Sequence, residues 1–142
     1  MAVPPGTVLQ GGRPKAYRPI PETARREAFL SAIAAYGRGD FFLAHELLEP
    51  AWMGTDDIAE RELYQGLIKL AAAFVHGVRG NPRGTAKNLE GARGRLVAAR
   101  DAGIDGGLNL DHLIAAIDAR MTDARPSDVE VIPPPLLWRT QS

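Results

Sequence analysis

The chain has 142 residues, 17 Lys and Arg against 17 Asp and Glu, and no cysteine. The length suits one domain, the balanced charge gives no general attraction to nucleic acid, and the missing cysteines exclude disulfide frameworks and thiolate metal sites. No apolar stretch is long enough to cross a bilayer, and the opening MAVPPGTVLQGGRPK lacks the apolar core of a secretory signal, so a cytoplasmic protein with no membrane partner and no nucleic-acid partner is expected.

Residues 1–19 are rich in Pro and Gly and read as an irregular arm. Pro21 suits the first turn of a helix, Phe29, Ile33 and Tyr36 recur at helical spacing, and Gly37 and Gly39 end that segment. Asp40 is the expected N-cap of a second helix running to about Met53, with Pro50 inside it as the expected site of a kink. Thr55 is the expected cap of a third helix reaching about Arg79, where Gly80 and Asn81 stop it. Asn81 and Pro82 read as cap and first residue of a fourth, to about Ala102, with Leu89, Ala92, Leu96 and Ala99 as its apolar stripe. Leu110, Ile114, Ile117 and Met121 mark a fifth. The tail after residue 126 carries VIPPPLLW, and three prolines forbid helix there. The expectation is an all-α fold: a compact array of about five helices over residues 20–125, with the helices near 40–53 and 56–79 central, and an extended tail over 126–142 packing on it.

Within the second helix, FFLAHELLEPAW sets a histidine and two glutamates in an apolar run, where unpartnered charge is expensive. At 100° per residue, Phe41, Phe42, Leu48, Glu49 and Trp52 fall within about 60° of His45. Leu43 and Leu47 lie opposite, so the helix is apolar nearly all round, a pattern that suits burial. The spacing H-E-x-x-E resembles the H-E-x-x-H helix of zinc peptidases, in which the i and i+4 residues bind metal and the intervening Glu is a general base. That analogy makes His45 and Glu49 metal ligands and Glu46 the base, with a further ligand required from elsewhere. The competing reading is a His–Glu pair that satisfies itself between helices.

The third helix, LYQGLIKLAAAFVHGVRGN, collects Gln65, Lys69 and His76 within about 40° on one stripe. One reading turns Gln65 and His76 toward His45 and Glu49; the other makes the stripe a solvated face. Gly66 and Ala71 to Ala73 are small enough to let a neighbouring helix approach closely. Arg83, Lys87, Arg93, Arg95 and Arg100 are scattered around the fourth helix rather than clustered with aromatics, which argues against a nucleic-acid patch. RGNPRG lacks the Gly-Lys-Ser/Thr end of a phosphate loop, and His112 reads as a solvated residue.

In order and spacing, AHELLEPAW, YQGLIKLAAAFVH, RGNPRGTAKNL and GLNLDHL resemble a small bacterial and archaeal family of all-helical proteins, domain of unknown function 309, over roughly residues 25–122. The family is labelled as predicted metal-dependent hydrolases. Its motif positions fall on His45, Glu46, Glu49, Trp52, Gln65, His76 and Asn81. The resemblance implies a divalent metal on His45, Glu49 and His76, with Glu46 as base and Gln65, Trp52 and Asn81 contacting an unknown small molecule. The alternative is a ligand-binding or partner-binding helical protein whose His/Glu/Gln cluster is a structural network. Two helices this apolar also leave room for a homo-oligomer in which a second copy covers them.

Overall fold

A computed structural model of the chain describes residues 5–122 and 131–141. Five helices follow one another: α1 (Glu22–Gly37), α2 (Phe41–Met53), α3 (Ile58–Val78), α4 (Pro82–Asp101) and α5 (Leu110–Thr122). The fold is all-α, as the periodicity predicts. Before the helices, β1 (Thr7–Gln10) pairs antiparallel with β2 (Arg13–Ala16), with Gln10 opposite Arg13. The first part of the arm is therefore a hairpin rather than an irregular segment. Its two-residue turn is Gly11-Gly12, both at positive φ (60° and 78°), the conformation that matches strand twist in a tight hairpin.

The caps follow side-chain chemistry. Asp40 accepts from the Leu43 amide at 3.2 Å, and Asn81 from the Gly84 amide at 3.1 Å, at the two expected N-termini. The third cap lies two residues beyond the expected one. Asp57, not Thr55, accepts from the Glu60 amide. The Thr55 hydroxyl instead accepts from the Asp57 amide and donates to Glu60, whose carboxylate also takes Arg25 of α1 and the Tyr64 hydroxyl. Helix α2 continues through Pro50 as one element to Met53.

Helix α3 is the centre. It packs on α2 and, most extensively, on α4, and Leu63, Leu67, Leu70, Ala73 and Phe74 are buried along it. Burying each such leucine contributes about 2–3 kcal/mol. Gly66 explains the closeness of α4: a Cβ there would lie 2.8 Å from two side-chain atoms of Leu96, itself fully buried. Helix α2 is the second central element, as expected. It lies between α1 and α3, and buries only Ala44, Leu48 and Ala51, leaving Phe42 58% and Leu43 37% exposed. The apolar pattern all round α2 overstated its burial: Phe41, Leu47, Leu48 and Trp52 pack inward, whereas Phe42 and Leu43 point outward.

The tail is described over residues 131–141. It packs without regular structure on the helices until a last turn, η1 (Arg139–Gln141). The buried Tyr36 hydroxyl donates to the Pro134 carbonyl at 2.7 Å. Trp138 bridges to Leu108 and meets Phe29 edge-on at 6.2 Å. The expected join between domain and tail, at 125–126, lies outside the described residues.

Candidate functional site

Two features of α3 draw the polar residues together. The first lies under the hairpin. Gln10, 2% exposed, donates from Nε2 to Glu62 at 3.0 Å and to Gln65 at 2.7 Å. Its Oε1 accepts from the Trp52 indole at 2.9 Å. Glu62 also takes Arg95 of α4 at 2.9 and 3.2 Å. Beneath them the fully buried Arg61 donates to the carbonyls of Thr55 and Ala16, and its guanidinium lies 4.9 Å from the Trp52 ring centre. Burial lowers the Arg61 pKa. Gln65 and Trp52 are thus brought together, but through Gln10, a residue with no signal in the arm's sequence. Glu62 and Arg95 also escaped the sequence reading. Glu62 was findable, because it lies within about 60° of the Gln65–Lys69–His76 stripe.

The second feature is an open groove of about 1320 Å³ between α3 and α4. It runs from Ile58 and Ala102 at one end to His76 and Lys87 at the other. The stripe on α3 is therefore divided: Gln65 joins Trp52 of α2 through Gln10, while Lys69 and His76, with Glu62, line this groove. Glycines on α4 make room for them. A Cβ on Gly84 would lie 2.6 Å from the His76 ring, and one on Gly91 would lie 2.9 Å from Cδ of Lys69. Asn81 reaches Nδ1 of His76 through its own Nδ2 at 3.1 Å, so that ring nitrogen is the acceptor and the ring is fixed beside the start of α4. Burial, then the charges of Arg95, Lys15 and Lys87, hold the Lys69 ammonium below the usual lysine pKa.

The residues expected to hold a metal are divided between these surroundings. His45, Glu46 and Glu49 stay together on α2. Nδ1 of His45 is buried, makes no hydrogen bond and lies 3.4 Å from Glu46, while Nε2 lies 3.7 Å from Glu49. Both glutamates are about half exposed, at 51% and 45%. The pairing of α2 with α3 is set by Arg61 against Trp52 at one end and by Phe41 against Phe74, 5.5 Å apart, at the other. That register puts His45 level with Lys69, roughly 10 Å along α3 from His76. His76 lines the α3–α4 groove, and His45, Glu46 and Glu49 do not. Among the described residues no group of three His, Cys, Asp or Glu is arranged to hold a metal ion.

The fold and its polar clusters define a small all-α protein with a hairpin-covered network that adjoins an open groove, Glu62 and Arg95 belonging to both. Residues 29–88 match the model of a family described as Domain of unknown function (DUF309). The family identified from the motifs is therefore the one whose model this segment matches. The matched segment carries the α2 motif, Gln65, Lys69, His76, Asn81 and Lys87, but neither Gln10 nor Arg95. No curated protein matches the chain. No helix among the described residues is long and apolar enough to cross a membrane.

Proposed function

We propose that this protein binds a small molecule in the α3–α4 groove, and that the Gln10–Trp52–Gln65–Glu62 cluster is a structural network clamping the hairpin onto α2 and α3. One observation carries this reading: a groove of about 1320 Å³ is lined by the polar stripe of the central helix, and glycines on the facing helix are spaced to receive its side chains. The network, in contrast, has its donors and acceptors engaged with one another under cover. The second reading, a hydrolase with a metal on His45, Glu49 and His76, is favoured only by the His45–Glu46–Glu49 group on α2.

Gly94 offers the test. It lines the groove and has open space where a Cβ would be, so a large side chain fills the groove without disturbing the core. Thermal-shift measurements with sugars, sugar phosphates, amino acids, dicarboxylates and nucleosides should find compounds that raise the melting temperature of the wild type. The same compounds should leave Gly94→Trp unmoved. Compounds that shift both proteins equally, or no active compound in any class, would overturn the proposal.

A further inference from the structure

Only three of the 17 basic residues are lysines, namely Lys15, Lys69 and Lys87. They lie on three different elements, β2, α3 and α4. The fold brings them together: Lys15 and Lys87, with Arg95, are the cations near enough to Lys69 to repel its charge. Arg95 is occupied by Glu62, through two contacts of 2.9 and 3.2 Å. Among the described residues none of the three lysines has an ion-pair partner or a side-chain hydrogen bond. Glu90 lines the same groove and comes within ion-pair distance of none of them.

Packing places this charge deliberately. The Lys69 stem lies over Gly91, where a Cβ would stand 2.9 Å from Cδ and 3.6 Å from Nζ. Gly84, Lys87, Gly91 and Arg95 recur at spacings of three and four, which is one face of α4. The ammonium of Lys69 is thus carried across to the α4 face that bears Lys87. Converging like charges oppose one another unless an anion joins them. The ammoniums of Lys69 and Lys87 are compact charges with three rotatable N–H groups, which suit a tetrahedral oxyanion. Arg95 beside them turns only Nη1 to Glu62, so its other nitrogens can add to the same anion. Away from the lysines the groove is lined by Ile58, Ala59, Ala98 and Ala102, apolar surface for an uncharged body.

We propose that the lysine end of the α3–α4 groove binds a phosphate group, with Lys69 and Lys87 as its principal contacts and Lys15 adding charge from the hairpin. This deepens the groove-binding reading and rests on it. Free phosphate and a phosphomonoester share this chemistry, and the second would also use the apolar end.

Calorimetric titration of the full chain at low salt, with inorganic phosphate, pyrophosphate, phenyl phosphate and citrate as probes, tests it. Phosphate and pyrophosphate should bind the wild type, more weakly as salt rises. Lys69→Met and Lys87→Met should each weaken pyrophosphate at least tenfold, and Lys69→Arg should recover part of the loss. Gly94→Trp should weaken phenyl phosphate while sparing inorganic phosphate if a phosphomonoester is the ligand, and spare both if free phosphate is. Circular dichroism confirms that each variant is folded. Lys87 is exposed on α4, so its variant stays informative should Lys69→Met not fold. Affinities within twofold of wild type in the methionine variants, citrate binding as tightly as pyrophosphate, or no phosphate binding at all would overturn the proposal. A neutral compound that stabilises the wild type but not Gly94→Trp, alongside a null result with every phosphate, would sink the phosphate site and leave groove binding standing.

Discussion

Under the hairpin, Glu62 and Gln65 of α3 meet Gln10, Trp52 and Arg95, and each polar group is answered by another within 3.2 Å. One turn along the same helix, Lys69 meets other cations and no carboxylate within ion-pair distance among the described residues. Both sets lie on one stripe of α3, and sequence type alone does not distinguish them. What differs is the covering element. A strand bearing a buried glutamine supplies complementary donors and acceptors, whereas a helix bearing glycines supplies space. A closed polar network holds structure together, because leaving one of its members unpaired is costly. An open set of like charges works against the fold and points to a ligand.

The contrast can be broken most strongly at Arg61. Replacing this fully buried residue by alanine strands the Thr55 and Ala16 carbonyls and removes the cation against Trp52. The expected loss is about 3 kcal/mol, read from urea denaturation; a loss below about 1 kcal/mol would mean the hairpin is not clamped there. Gln10→Ala removes three hydrogen bonds but no charge, so about 2 kcal/mol should go, while pyrophosphate affinity stays as in the wild type. A parallel fall in affinity would show that network and groove are one site.

The smallest effects concern the glycines, and they should differ in sign. Gly84→Ala drives a Cβ to 2.6 Å from the His76 ring and should cost about 1–2 kcal/mol. Gly94→Ala, in the same helix with open space around it, should gain about 0.5–1 kcal/mol from helix propensity. Equal effects at the two positions would mean that the glycines do not serve as seats for side chains of α3.

The sequence by itself determined the five helices, two of the three N-caps at Asp40, Asp57 and Asn81, and the close approach of a neighbour at Gly66. These are local matters: a 3.6-residue period, a side-chain oxygen beside free amides, and a missing Cβ are written in adjacent residues. It also gathered Gln65, Lys69 and His76 onto one stripe, but not the partner of that stripe. The hairpin escaped notice because prolines and glycines around it read as loop, although Gly11-Gly12 between two short segments is itself a hairpin turn. The exposure of α2 was misread because apolar periodicity does not say which residues face a neighbour. Only the tertiary structure decided that Gln10 closes over Gln65, that His76 meets Asn81 beside the α3–α4 groove, and that Lys69 and Lys87 line that groove together. Helical phase fixes direction about an axis, whereas contact between elements depends on how the axes pack, which no single segment encodes.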